Sequence, residues 1–206
     1  MKTLDQFYPY ITTDVLGCPF PTVDQHMILA AREFCQRASI WMEWLGAFTA
    51  SGTTNTYDFD LTNQQELVKV TRVLVNDDDD YEIKTRRDLP ADWDTGDSDQ
   101  LDKALVHIDN TQYALFPLPV SGDTVMIQAV FRPTITASSL PDVLFDRWLE
   151  TLASGTKARL MAIPKMPWSD ASLARYHINQ FNASVNRAAN DDFAQRSAKR
   201  TKLAPL

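Results

Sequence analysis

The stretch from Leu140 to Asn190 constrains the fold most, because it has the pattern of two helices joined by a corner that contains two prolines. Pro141 lacks a backbone donor and suits a first helical position, and Asp142 follows where the helix dipole favours negative charge. Pro164 and Pro167 end this first helix, since proline disfavours the α conformation in the residue before it. Such a pair must bury its apolar sides against other parts of the chain.

The first predicted helix has apolar residues at helical rather than alternating spacing. These residues are Val143, Phe145, Trp148, Leu149, Leu152, Ala153 and Leu160. Gly155 lies inside this pattern and costs ~1 kcal/mol relative to alanine. We therefore expect another backbone to pack closely at Gly155, rather than a break in the helix.

The second predicted helix begins with Ser169 as N-cap and Asp170 in the favourable first turn. Neither proline nor glycine interrupts it from Ala171 to Ala198, and ~25 helical residues span ~38 Å. This length exceeds what one small core needs, so we expect the distal part to leave the domain or to meet another subunit. Its predicted apolar stripe comprises Leu173, Tyr176, His177, Phe181 (or Ile178), Val185, Ala188 and Ala189.

The N-terminal region predicts an extended arm followed by a third helix. Prolines and Gly17 within residues 1–21 favour an extended, docked conformation. Thr22 and Gln25 then fit a capping box, in which each side chain satisfies an orphan donor. The helix that follows has an apolar stripe of Val23, Met27, Ala30, Ala31, Phe34, Ala38 and Trp41.

The middle of the chain changes to short, often alternating segments rich in β-branched and aromatic residues. The seven segments are residues 43–50, 56–61, 66–75, 81–89, 103–108, 112–118 and 124–133. They predict a small antiparallel β-sandwich or open barrel. The predicted fold is therefore α+β: residues 1–41 and 134–206 form a bundle of three main helices with a long C-terminal helix, and residues 42–133 form an inserted β domain whose ends lie close together.

Composition and charge limit the kinds of partner that the protein is expected to bind. The formal net charge of −7 disfavours a general nucleic-acid binder, whose surface must neutralise phosphates. The absence of a long apolar run or a cleavable leader predicts a protein that folds in a cytoplasm and does not enter a membrane. The charges are segregated, which indicates different partners for the acidic and basic regions. Acidic residues are crowded between Asp77 and Asp102, whereas the last dozen residues are basic.

The sequence contains no recognisable catalytic or metal-binding motif. His26, His107 and His177 lie on separate predicted elements without a second ligand at zinc spacing. Cys18 and Cys35 are expected to be small buried thiols rather than a disulfide framework. No nucleophile elbow, phosphate-binding glycine loop or dinucleotide fingerprint occurs. We therefore expect no catalytic residues, no metal, no cofactor and no enzyme activity.

The acidic stretch from Leu89 to Asp102 is the one candidate for a ligand site. The run from Asp92 to Asp99 offers several oxygens to calcium, but Gly96 stands where an EF-hand needs a ligand, and no glutamate closes a twelve-residue loop. Solvated turns are the favoured interpretation, as for Asp78 to Asp80. The alternative function is a β-sandwich binding module that holds calcium or carbohydrate in this loop, and a calcium-dependent rise in melting temperature would support it.

Several ordered segments together resemble a known family. They are Gly17-Cys18-Pro19 and the residues 30–41, 130–134, 140–160 and 167–181. In this order they resemble tailed-bacteriophage head-to-tail adaptor proteins, also called connector or head-completion proteins. The resemblance implies a homo-oligomeric ring of about twelve copies in the neck of the virion. It also implies binding to the portal protein and to tail or nozzle proteins, with DNA passing through the channel without sequence-specific binding.

The C-terminal residues are the predicted portal-binding site. Their apolar content is too low for independent folding, so they are candidates for ordering on a partner. The hypothesis is that the basic side chains pair with acidic portal groups while the two leucines fill pockets; the alternative is a frayed, solubilising tail. The predicted residues are Arg196, Lys199, Arg200, Lys202, Leu203 and Leu206.

Overall fold

The computed structural model of the protein describes residues 1–77, 81–85, 87 and 103–200, the last nine by their backbone alone. Its α-helices are α1 (Tyr8–Ile11), α2 (Phe20–Ala38), α3 (Asp142–Asp146), α4 (Leu149–Met161) and α5 (Ala171–Arg200). Its strands are β1 (Lys2–Thr3), β2 (Met42–Trp44), β3 (Phe48–Thr49), β4 (Thr56–Asp58), β5 (Gln65–Val75), β6 (Glu82–Thr85), β7 (Ala104–His107), β8 (Gln112–Phe116), β9 (Thr124–Pro133) and β10 (Ser139–Leu140).

The predicted helical bundle with an inserted small antiparallel β domain is wrong as a description of this fold. The described residues form a mixed α/β structure with ten strands in three sheets and five α-helices. One sheet consists of β1 and β10, which pair antiparallel and join the chain's first residues to those before α3. The sequence pattern could not reveal this pair, because each strand is only two residues long. The backbone hydrogen bonds of each strand are made with a partner strand more than a hundred residues away in sequence.

Two compact units are distinguished by their internal contacts. The first contains residues Met1–Trp41, Asn63–Gln65 and Arg132–Leu206, and the second contains Met42–Thr62 and Glu66–Phe131. The short segment Asn63–Gln65 groups with the first unit through its hydrogen bonds. Thr134 N–H donates to the Gln64 carbonyl at 3.0 Å, and Ser138 N–H donates to Gln64 Oε1 at 2.8 Å.

The core of the first unit lies between α2, α4 and α5. Phe34 of α2 packs edge-on against Trp148 and Phe181, with ring centroids 5.4 and 6.1 Å apart. The predicted α2 stripe is confirmed, since none of its residues is more than 2% exposed. Helical spacing identified this face correctly because every third or fourth position meets the same neighbours.

The N-terminal region is folded, so the predicted extended arm is wrong. A 3-10 turn at Leu4–Phe7 leads into α1, and Pro9 stands in the first turn of α1. A proline there loses no hydrogen bond and its fixed φ suits the helix. For the same reason α2 begins at Phe20 with Pro21 in its first turn, and the predicted capping box at Thr22 is not formed.

The helical pair after residue 140 differs from its prediction in two places. The first helix is divided into α3 and α4 at Trp148, whose φ of −128° and ψ of 22° leave the helical region. The cap of α5 is Asp170 rather than Ser169: Asp170 Oδ1 accepts from the N–H groups of Ser172 and Leu173 at 2.8 and 2.9 Å. The Ser169 hydroxyl instead donates to the Ile163 carbonyl and tightens the corner.

The second unit contains two four-stranded sheets. In one, β2, β3 and β5 all pair with β9; in the other, the order is β4-β8-β7-β6. All seven predicted segments contain strands, but the expectation of purely antiparallel pairing is wrong, because β6 and β7 are parallel. A parallel pair needs a long connection between its strands, and residues 86–103 supply one.

Candidate interaction surfaces

The position of α5 relative to α4 is fixed by the ring of Phe181, which packs directly on Gly155. A Cβ built on Gly155 of α4 would stand 2.6 Å from Cδ2 and 2.7 Å from Cε2 of Phe181. The predicted close packing at Gly155 is confirmed, although the neighbour is an aromatic ring rather than a backbone. Only glycine lets the Phe181 ring approach α4 this closely, so the pair sets the distance between α4 and α5.

A polar cluster, which we call the α5 clamp, surrounds this contact and was missed by the sequence analysis. Arg37 donates to Glu33 Oε1 and to Asn182 Oδ1, both at 2.7 Å. Arg159 donates to the other oxygen of Glu33, and its guanidinium lies 5.5 Å from the centre of the Phe181 ring. Glu33 and Arg37 stand at i, i+4 spacing, which was visible in the sequence, but nothing there indicated Arg159 or Asn182 as partners.

Two of the three histidines lie in the first unit with their Nδ1 atoms buried and lacking a hydrogen-bond partner among the described residues. Burial lowers the pKa of His26, and the Arg159 charge lowers it further. Burial and then the Lys157 charge lower the pKa of His177, while Asp14 acts in the opposite direction. Lys157 and Asp14 form an ion pair at 2.5 Å.

These histidines remain apart from the ligands that a metal would need. Among the described residues, no group of three histidine, cysteine or acidic side chains is arranged to hold a metal ion. Cys18 and Cys35 are free and buried, as predicted, and burial raises the pKa of both thiols. The acidic stretch Leu89 to Asp102 and the run Asp78 to Asp80 lie outside the described residues, so the calcium or carbohydrate alternative stays a prediction.

The start of α5 exposes two large apolar side chains that the sequence analysis placed in its buried stripe. Leu173 is 46% and Tyr176 is 56% exposed. The predicted stripe is wrong at these two positions, where Ala174 is buried instead, but it is confirmed at Phe181, Val185 and Ala188. The buried positions of α5, up to the limit of described side chains, are Ala174, Phe181, Val185 and Ala188.

Between Asp170 and Asp191, the charged side chains of α5 are all basic. No aspartate or glutamate occurs between Asp170 and Asp191, whereas Arg175 and Arg187 are both exposed. We use the name α5 outer face for Leu173, Arg175, Tyr176 and Arg187. It is an apolar and basic surface on a chain whose net charge is −7.

A second exposed surface in the first unit has the opposite character. The rings of Tyr8 and Phe20 stack with centroids 4.6 Å apart, and Phe20 is 55% exposed. Tyr8 donates its hydroxyl proton to Asp24 at 2.8 Å. Burial, the bond to Asp24 and the charges of Asp24 and Asp5 raise the pKa of Tyr8 to about 12. We call Asp5, Tyr8, Phe20 and Asp24 the acidic–aromatic face.

The predicted portal-binding residues are not brought together in a described surface. Arg196, Lys199 and Arg200 belong to the backbone-only end of α5, which continues beyond Ala188 to Arg200. Lys202, Leu203 and Leu206 lie outside the described residues. The predicted long, uninterrupted helix is confirmed, and its distal end is helical rather than extended up to Arg200.

The first unit thus combines a long C-terminal helix with two exposed faces that carry apolar and charged side chains. The chain belongs to the SU10 adaptor protein family, whose model matches residues 12–203. This family consists of phage head-to-tail adaptors, so the resemblance noted in the sequence is confirmed.

Membership of this family defines the general role of the protein. It is a structural component of the virion neck that interacts with portal and tail components, and adaptors of this kind are generally not enzymes. No curated protein matches the chain. In the described ranges no helix has both the length and the apolar character needed to cross a membrane.

Proposed function

We propose that the protein forms a closed ring of about twelve copies between the portal and the tail, and that this ring extends the DNA channel. The observation that carries the proposal is the family match, which runs through both units and almost to the end of the chain. The net charge of −7 suits a channel that DNA must pass without being held, because phosphates are repelled by an acidic surface.

We further propose that the end of α5 and the residues after it bind the portal. We place the contact at this end because α5 continues to Arg200 and the last dozen residues of the chain are basic. Positions 196, 199 and 200 share one side of a helix because they are three and four residues apart. In this proposal Arg196, Lys199, Arg200 and Lys202 face acidic portal groups, and Leu203 and Leu206 enter apolar pockets. Residues 42–133 then face the tail or nozzle proteins.

The experiment that tests the ring is co-sedimentation of the purified protein with the portal of the same phage, followed by imaging of the complex. We expect a stoichiometric ring on the portal. A folded protein that does not bind an assembled portal would contradict the proposal. Assembly of this kind is expected to take place in the host cytoplasm.

The portal-binding residues are tested by two variants and one control. Deletion of residues 199–206, and the double charge reversal Lys199→Glu with Arg200→Glu, should both abolish co-sedimentation. The matched control is Lys69→Glu on the exposed side of β5, which changes the net charge of the chain in the same direction. Undiminished binding of the deletion variant would remove these residues from the portal contact.

A further inference from the structure

Two exposed surfaces of the first unit are complementary in chemistry. On the α5 outer face, Leu173, Arg175 and Tyr176 are exposed within one helical turn, and Arg187 follows about three turns further along. The acidic–aromatic face presents Phe20 and the Tyr8 ring beside Asp24 and Asp5. Large exposed apolar side chains that are flanked by charge are typical of protein contacts, in which an apolar centre is surrounded by a polar rim. Opposite charges at the rim steer the two surfaces together and fix their orientation.

We infer that the α5 outer face of one copy docks on the acidic–aromatic face of the next copy. The inference rests on the proposed ring for its choice of a second copy as partner, and it names the surfaces by which neighbours meet. A contact between two different faces of the same chain is heterologous, and repetition of such a contact around an axis produces a ring.

Two other occupants of the α5 outer face fit the observations less well. The basic end of the chain, with Lys199, Arg200 and Lys202, would meet Arg175 and Arg187 with charge of the same sign. DNA would find two arginines, but Leu173 and Tyr176 would face its phosphates instead of an apolar partner. A second copy supplies both an aromatic surface and negative charge.

The test uses two full-length variants, each of which lacks one of the two contact faces. In the first variant Tyr176→Ser disrupts the α5 outer face, and in the second variant Phe20→Ser disrupts the acidic–aromatic face. Analytical ultracentrifugation should show self-association of the wild-type chain, with a dissociation constant raised by about 30-fold in either variant. A mixture of the two variants retains one intact pair of faces, so it should form 1:1 dimers and no larger species.

Two further variants separate the effect of the arginine charges from the effect of removing any exposed apolar side chain. Arg175→Glu with Arg187→Glu should weaken association as Tyr176→Ser does, and more so at low salt, because exposed charges are screened by ions. Ile135→Ser, at a position that is 67% exposed in the first unit, should associate like the wild type. Circular dichroism confirms that each variant is folded.

Several results would overturn the inference. These are a wild-type chain that stays monomeric up to about 1 mM, a Tyr176→Ser chain that associates normally, and a mixture that contains only monomers. Salt-sensitive binding of a fluorescent DNA duplex that Arg175→Glu abolishes, with unchanged self-association, would assign the face to DNA. These measurements need no portal, so failure of the docking contact is distinguishable from failure of the adaptor role, which co-sedimentation tests.

Discussion

The ring of Phe181 occupies the space that a side chain at Gly155 would need, with its Cδ2 atom 2.6 Å from the position of a Cβ. The ring is fully buried and also meets Phe34 edge-on, so it has little freedom to retreat. The spacing between α4 and α5 therefore depends on the absence of one methyl group.

Gly155→Ala should destabilise the protein by about 1 kcal/mol. Alanine gains up to ~1 kcal/mol in helix propensity, but overpacking of a filled core costs ~1–3 kcal/mol. Urea unfolding of wild type and variant measures the difference. The control is the double variant Gly155→Ala with Phe181→Leu, whose smaller side chain relieves the overlap, so the two substitutions should be less harmful together than their sum. A single variant as stable as the wild type would contradict the packing argument.

Arg159→Met should cost about 2 kcal/mol of stability, because it removes a half-buried ion pair with Glu33 and the contact with the Phe181 ring. Arg37→Met is the matched control, since Arg37 binds the same carboxylate at the surface. Solvent screens that pair, so its loss should cost less than ~1 kcal/mol. Equal losses in urea unfolding of the two variants would show that burial does not distinguish these arginines.

Acidification should destabilise the first unit through its histidines. The pKa values of His26 and His177 are lowered in the folded state, chiefly by burial. The unfolded chain therefore binds more protons than the folded chain as pH falls through the ordinary histidine pKa of about 6.5, and stability falls with it. Urea midpoints measured at about pH 7.5 and about pH 5.5 should differ, and His26→Gln with His177→Gln should reduce the difference. An unchanged difference would assign the pH effect to other groups.

If residues 42–133 form a separate domain, as the sequence predicts, a fragment with these boundaries should fold on its own. Antiparallel pairing of Met42 with Val130 and of Trp44 with Gln128 places the entry and exit of the fragment side by side. We expect cooperative thermal unfolding of the purified fragment. Ala129→Pro is the control, because proline removes a ladder donor from β9 within its pairing with β2 and should abolish folding. A fragment without a cooperative transition would show that residues 42–133 depend on the rest of the chain.

The sequence predicted those features that depend on local pattern. The apolar stripe of α2, the extent of α5 and the seven strand segments follow from periodicity and from the placement of proline and glycine. The missed features depend on partners distant in sequence. Leu173 and Tyr176 have the spacing of core residues, and only the side on which Phe181 meets Gly155 decides that they face outwards.

The candidate surfaces were less accessible to prediction than the fold. The α5 clamp joins Glu33 to Arg159 and Arg37 to Asn182, and in both pairs the partners are more than a hundred residues apart in sequence, so no short spacing indicates the contact. The acidic–aromatic face forms only because α1 and α2 bring Tyr8 and Phe20 together, in a region that its prolines had made look extended. The family itself was recognisable from the sequence, because the resemblance depends on the order of several segments along the chain and not on contacts between distant residues.

The contact between Phe34 and Phe181 also affects how the chain is made. Phe34 leaves the ribosome with α2, but Phe181 follows only after the whole β region has been translated. At synthesis rates of about 5–20 residues per second, the apolar side of α2 waits on the order of ten seconds for its partners. During that interval the apolar side of α2 lacks the rings of Trp148 and Phe181 that cover it in the folded protein, so an incomplete chain exposes apolar surface until α5 has been translated.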